Sequence, residues 1–410
     1  MIAPPFSIER LHRRPRTVHR GGMIAAYSFS LLVNPRYGTP GVTVLPSGGF
    51  RRAKAAITGW EGYAPTPLRD LEEMAASARV VALRIKDESE RFGLGSFKAL
   101  GGAYAVATLL SAELSRRGVA HAPDAEALSD GRYQDVTGTI TVTCATDGNH
   151  GRSVAWGARR FHCNCVIFVH EGVSQGRRDA IAAFGAEVVQ VKGTYDDAVR
   201  EAGRRAASEH WFVVSDTSYP GYTETPREVM QGYRLMADEA VDQWSGPPPT
   251  HVFIQAGVGG AAAAVSVQMR TRFDPAPRLV VVEPELAACL LASARQGIPV
   301  AVPGDLDTIM AGLACGEPSL LAWQELERAA AAFMAIPDAA AIDSLSLLAD
   351  AGLAIGESGV AGVAGFLLAA GDRNARAALG MDAESRILCF GTEGVTDQFL
   401  YHKLRQSRQR

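Results

Sequence analysis

Between residues 139 and 214 the chain alternates short β-branched runs with helix-forming stretches at a regular interval. The runs 139–145, 165–169, 187–191 and 211–214 read as strands, and helical patterns over 149–161, 174–184 and 195–208 lie between them. Parallel strands cannot be joined by a tight turn and need a crossover of a dozen or more residues, usually a helix, so this rhythm predicts a parallel sheet. A second series opens at 251–255, runs through 279–283 and closes at 387–390. The expected class is α/β, with two doubly wound domains, largely parallel sheets and a cleft between them. The boundaries expected are 1–34 for a leader, 35–93 with 217–410 for a larger domain, and 94–216 for a smaller one.

Ahead of the first series, residues 63–78 predict a helix stiffened at its entry by Pro65 and Pro67, and 80–85 a strand. A helix is expected over 99–117, a polar surface insertion over 118–138, and a long helix up to about Gln243. At the N-terminus, Arg10, Arg13, Arg14, Arg16 and Arg20 precede an apolar stretch, 24–33, without a small-residue cleavage pattern after it. Residues 1–22 read as an uninformative leader, with Met23 the preferred start.

A length of 410 residues with 47% hydrophobic and 21% charged side chains suffices for two globular cores. A net charge of -3 argues against a nucleic-acid surface, which needs a clustered basic excess. The cysteines (Cys144, Cys163, Cys165, Cys289, Cys315 and Cys389) sit mostly in apolar runs, not in a disulfide framework, which suits the reducing cytoplasm. His162-Cys163-Asn164-Cys165 lacks the second ligand pair of a structural zinc site, so no metal is expected. With no apolar run of membrane-spanning length, no membrane span is expected.

Three polar or glycine-rich loops punctuate this framework: 93–102 around Lys98, 146–151 with Asp147 and Asn149, and 257–260. Several such crossovers are how an α/β protein assembles one pocket. A lysine shielded among small residues loses its preference for the charged form and becomes a nucleophile toward a carbonyl. The loop Gly257-Val258-Gly259-Gly260 precedes an alanine-rich helix, and its free N–H groups together with the helix dipole suit a phosphate. The same residues also match a dinucleotide fingerprint, with Glu283 ending the next strand, so an NAD(P)-dependent oxidoreductase is a distant second reading. That reading gives Lys98 and Asn149 no work. A phosphate-bearing aldehyde uses all three loops, and pyridoxal 5′-phosphate has that form.

The set Ser96-Phe97-Lys98, Thr146-Asp147-Gly148-Asn149-His150-Gly151 and Gly257-Val258-Gly259-Gly260 resembles the fold type II pyridoxal-phosphate enzymes. Asp147, Asp216-Thr217, Met310 to Pro318 and Thr392-Glu393-Gly394 resemble, within them, the family of diaminopropionate ammonia-lyases. The resemblance runs from Tyr63 to Asp397. It implies that Lys98 holds the cofactor as a Schiff base in the interdomain cleft, with Phe97 beside the ring. It further implies that Asn149 bonds the phenolic oxygen, that the backbone of Gly257 to Gly260 binds the phosphate, and that Asp147 and Asp216 serve as acid/base carboxylates. The family's substrate carries a second ammonium, which carboxylates can bind. The reaction implied is conversion of D- and L-2,3-diaminopropionate to pyruvate and two ammonia by a homodimer. Asp147 would act on the D isomer, the freed Lys98 amine on the L isomer, with Asp216 assisting. Thr392 is the candidate ring-nitrogen partner, although Gly391 and Val395 depart from the family pattern, and Glu357-Ser358-Gly359 is a weaker candidate beside the ring.

Each residue also has a plainer reading: a loop cation for Lys98, a turn residue for Asp147, a helix cap for Asp216, a spacer for His150. The nearest rival function is a pyridoxal-phosphate-dependent serine/threonine dehydratase.

Overall fold

The structure, a computed structural model, describes residues 23–39, 41–146 and 148–407. The chain divides into two compact units: one holds the described residues up to Val44 with Thr66–Glu90 and those from Met236 onward, the other Leu45–Pro65 and Arg91–Leu235. Residues 45–65, 91–93 and 217–235, grouped with the larger domain on sequence grounds, cluster with the smaller unit. The strands among the described residues are, in chain order, β1 (Ser30–Val33), β2 (Leu68–Asp70), β3 (Ala82–Asp87), β4 (Thr141–Ala145), β5 (Asn164–His170), β6 (Glu187–Val191), β7 (Phe212–Val213), β8 (His251–Gln255), β9 (Arg278–Pro284), β10 (Ala330–Ile336) and β11 (Arg386–Gly391).

The first unit carries a seven-stranded sheet of order β1-β10-β9-β8-β11-β3-β2. The interior pairs β10–β9, β9–β8, β8–β11 and β11–β3 are parallel, and the two edges, β1 on β10 and β2 on β3, are antiparallel. Every residue of β8 and β10 is buried, the continuous apolar reading expected of strands covered on both faces. Helices carry Ala341, Leu345, Val363, Phe366 and Leu367 into a core shared with Phe253, Val280, Val282 and Ile387. The second unit carries a four-stranded, wholly parallel sheet of order β6-β5-β4-β7. The class is the α/β architecture expected.

Two elements differ from the sequence reading. Leu68–Asp70 is strand rather than the opening of a helix: it pairs with Arg84, Ile85 and Lys86, and the helix begins only at Glu72. The supposed leader is structured from Met23 on, since Ser30–Val33 pairs with Ala332–Ala335 and Tyr27 Oη donates to Asp343 Oδ2 at 2.9 Å. Residues 1–22 lie outside the described residues. The insertion 118–138 contains two short helices, Ala125–Ser129 and Gln134–Thr137, anchored by buried Leu128 and Thr137.

Each sheet contains a reversal of strand order between parallel neighbours. In the first, β8, β9 and β10 step one way and β11 lies on the other side of β8; in the second, β4, β5 and β6 step one way and β7 lies on the other side of β4. At such a reversal the loops leaving the two strands diverge and open a crevice at their carboxyl ends. The loops leaving β4 and β7 hold Asn149 and Asp216, and those leaving β8 and β11 hold Gly257 to Gly260 and Thr392. No helix among the described residues is long and apolar enough to cross a membrane.

Candidate active site

Lys98 begins the helix Lys98–Arg116 of the second unit. Ser153 fixes its backbone: the hydroxyl donates to Lys98 O at 2.7 Å and accepts from Ala103 N at 3.1 Å. That approach requires Gly102, because a Cβ there would stand 2.5 Å from Ser153 Oγ. The amine therefore starts from a rigid helix end. Its Nζ lies 5.3 Å from the Phe97 ring centroid and 5.5 Å from that of Tyr233, and the two rings pack at 4.6 Å. Faces of aromatic rings attract a cation while shielding it from water.

Asp216 closes the other side, with Oδ2 2.5 Å from Lys98 Nζ. It sits in the loop after β7, whose shape is set by Tyr222: the phenol donates to Val213 O at 2.9 Å and accepts from Ser215 N at 3.0 Å. Burial alone would push the Asp216 carboxyl up, but the Lys98 ammonium and His150 outweigh it and hold it well below the usual carboxylate range. His150 Nε2 is 2.7 Å from Val214 O, and its Nδ1 is 3.8 Å from Asp216 Oδ2.

Asn149 and His150 open the helix Asn149–Arg160. Thr146 at the end of β4 organises the turn before it, its Oγ1 accepting from Gly148 N at 3.0 Å and Gly151 N at 3.1 Å. Asp147 lies outside the described residues. Lys98, Phe97, Asn149 and Asp216 thus belong to the second unit, while Gly257, Val258, Gly259, Gly260 and Thr392 belong to the first.

In the first unit, Gly259 caps the helix Gly260–Arg272 at φ 98°, a left-handed conformation that glycine adopts without strain. No side chain among the described residues caps this helix, and its first turn holds no acidic residue. Its leading N–H groups and dipole are arranged for an anion. Val258 O accepts from Ser319 N at 2.9 Å, which steadies the loop. Beside it, Gln255 Nε2 donates to Gly359 O and Phe390 O, each at 2.9 Å, and to Thr392 Oγ1 at 2.7 Å. Glu393 Oε1 accepts from Ser358 N at 3.0 Å, and Ser358 Oγ accepts from Gly312 N at 3.0 Å. The three loops 310–316, 357–359 and 392–394 are therefore tied to one another within this unit.

These donors fit pyridoxal phosphate. Lys98 offers an amine to an aldehyde, the Gly260–Arg272 helix offers uncapped N–H groups to a phosphate, and Thr392 offers a buried hydroxyl whose oxygen already accepts from Gln255. The dinucleotide reading does not fit. Glu283, which would bind a ribose, is fully buried and accepts from Leu290 N and Leu291 N at 2.8 Å each, capping the next helix.

Gln255 carries a part of the arrangement that the sequence did not single out. It lies within a strand, where a buried polar side chain has no local signature. A polar residue following the apolar run Val252–Ile254, as Gln255 does, was the available signal.

Residues 60–390 match the model of a family described as pyridoxal-phosphate dependent enzyme. Diaminopropionate ammonia-lyase of Escherichia coli strain K12 is 40% identical over 356 residues, covering 84% of this chain and 87% of the relative. Diaminopropionate ammonia-lyase of Salmonella typhimurium strain LT2 is 36% identical over 386 residues, covering 90% and 95%. A crystal structure of the Escherichia coli enzyme in complex with an aminoacrylate-PLP azomethine reaction intermediate superposes with a TM-score of 0.83, at 34% identity over 93% of this chain and 97% of that one.

Proposed function

We propose that this chain, which belongs to the diaminopropionate ammonia-lyases among the pyridoxal-phosphate-dependent enzymes, converts 2,3-diaminopropionate and water to pyruvate and two ammonia by α,β-elimination, accepting both D and L isomers. The family match displaces the oxidoreductase alternative. The observation that carries the reading is the contact of Lys98 Nζ with Asp216 Oδ2 at 2.5 Å: an amine held against a half-buried carboxylate, on a rigid helix start. When bound, pyridoxal phosphate supplies an electron sink that stabilises negative charge at the amino acid's α carbon.

The chain's own residues divide the remaining work. Lys98 would hold the cofactor through its amine, the Gly257 to Gly260 backbone its phosphate, and Asn149 its phenolic oxygen. Phe97 would lie beside the ring and Thr392 would face the ring nitrogen. Freed from the cofactor, the Lys98 amine takes the α proton of the L isomer at Nζ. Asp147 takes that of the D isomer, and Asp216, ionised throughout the neutral range, holds the substrate's second ammonium and assists. We further place the enzyme in the cytoplasm as a homodimer. The six cysteines, none of them in a disulfide, suit a reducing compartment, and the family resemblance supports the dimer.

Pyruvate release from purified protein with D- and L-2,3-diaminopropionate, serine and threonine side by side tests the reading. Turnover of the diamino acid over the hydroxy amino acids is expected, with a visible chromophore that borohydride bleaches. Turnover of serine or threonine alone would favour the dehydratase. Asp147→Ala is expected to lower kcat on the D isomer by about 10²-fold or more while sparing the L isomer, the scale of a lost general base; equal loss on both isomers would refute the assignment. Light scattering at micromolar concentration tests the dimer.

A further inference from the structure

We propose that His150 is the positioning residue behind Asp216: whenever Lys98 must act as a free amine, its proton passes through Asp216 Oδ2 to His150 Nδ1. The inference rests on the reading of Lys98 as the reactive amine.

Geometry fixes the state of the ring. His150 is 7% exposed, and its Nε2 stands 2.7 Å from a carbonyl, Val214 O. A carbonyl can only accept, so Nε2 carries the hydrogen and Nδ1 presents its lone pair. That lone pair has no hydrogen-bond partner among the described residues. Buried acceptors are rarely left so, and a histidine serving only as a spacer would need no more than its Nε2 bond. The ionised oxygen that Nδ1 faces, at 3.8 Å, is Asp216 Oδ2, the same oxygen that lies 2.5 Å from Lys98 Nζ. One carboxylate oxygen therefore stands between two nitrogens, one carrying a proton and one able to take it.

The neighbours leave the proton no competing place. Lys98 faces the site from its helix, Asp216 from the loop after β7, Cys144 from β4, and Tyr233 lies beyond Lys98. Burial pushes the Cys144 thiol and the Tyr233 hydroxyl far up, so neither exchanges protons near neutrality. Burial pushes His150 down, Asp216 pulls it up, and the Lys98 ammonium pushes it down again. Loss of the ammonium removes one of the two forces holding His150 neutral and leaves Asp216 without its cation. Protonation of Nδ1 then restores a paired carboxylate.

The transfer balances. An N–H bond at Nζ breaks, the proton crosses Oδ2, and an N–H bond at Nδ1 forms. The ammonium becomes an amine with a free electron pair, the imidazole becomes imidazolium, and Asp216 ends as it began. The three groups keep the same total charge, and the carboxylate needs to move only about 1 Å toward the ring to reach hydrogen-bonding distance.

NMR of the full chain carrying ¹⁵N-labelled histidine tests this without turnover. His150→Gln, whose amide can keep the donation to Val214 O, identifies the resonance. In the parent, burial holds His150 below a free imidazole, and it is expected to stay neutral at neutral pH. In Lys98→Met its midpoint should rise by about one pH unit or more, and the added Asp216→Asn change should abolish the rise. If His150→Gln does not fold, the resonance is still identified as the one that moves in Lys98→Met and reverts in the double variant. In the holoenzyme, His150→Gln should lower kcat about tenfold with KM unchanged. A His150 that stays neutral in Lys98→Met, or a His150→Gln enzyme with parental kcat, overturns the proposal. Failure of the parent to release pyruvate from diaminopropionate would instead overturn the proposed function.

Discussion

At the scale of single residues, half-buried Asp216 and fully buried Glu283 have opposite fates. Asp216 has a cation at 2.5 Å and is held ionised. Glu283 has backbone N–H donors, and burial outweighs them, so its pKa is pushed up to about 8. Its folded value lies above its unfolded one, so the folded state binds the proton more tightly. The stability this contributes is fully present below about pH 4.5, the unfolded value, and is lost as pH rises through about 8. Glu283→Gln keeps a neutral acceptor for one of the two amides and removes that dependence. Thermal melts of parent and variant between pH 5 and pH 8 should show the variant gaining on the parent as pH rises, by an amount on the order of a few kcal/mol at most. A constant gap between the two would show that Glu283 does not titrate in this range.

At the scale of elements, the phosphate cradle depends on how the Gly260–Arg272 helix begins. A Cβ at Gly259 would meet Ala322 Cβ at 3.0 Å and Leu290 Cδ1 and Leu326 Cδ1 at 3.2 Å, in a left-handed backbone that a β-branched residue adopts only with strain. Gly259→Val should cost about 1–3 kcal/mol of stability and weaken pyridoxal phosphate binding about tenfold or more, read by urea unfolding and by titration of the apoenzyme. Parental affinity would place the phosphate elsewhere. Elements of this kind were legible in the sequence because glycine loops and apolar runs are local signals. Leu68–Asp70 was not: its conformation is decided by pairing with Arg84, Ile85 and Lys86, and the prolines before it resemble a helix entry. The strand Ser30–Val33 was missed for a similar reason, since its partner Ala332–Ala335 is some 300 residues away in sequence. Ala330–Ile336 escaped notice because its alanines continue the helix Leu320–Ala329 that precedes it.

At the scale of the molecule, the order of the chain makes each unit dependent on segments far apart. The first unit draws on three stretches of sequence and the second on two, so the chain passes from one to the other four times. No fragment cut at a single point contains the first unit whole, and the second is interrupted by Thr66–Glu90 of the first. Such a chain resists partial unfolding, and a ligand that binds the native state acts on the whole. For a cofactor at about 100 times its Kd, mass action adds about 2.7 kcal/mol, which for a protein of this length shifts the midpoint by a few degrees. Removing pyridoxal phosphate should therefore lower the thermal midpoint, and millimolar inorganic phosphate should restore part of the loss by occupying the Gly257 to Gly260 cradle. Lys98→Ala separates the two contributions: it keeps the response to phosphate and gives up the part that requires the amine. Calorimetry of parent, apoenzyme and Lys98→Ala, each with and without phosphate, would read both. A Lys98→Ala protein stabilised by pyridoxal phosphate as strongly as the parent would show that the amine does not hold the cofactor, and a phosphate response surviving in Gly259→Val would remove the cradle from that loop.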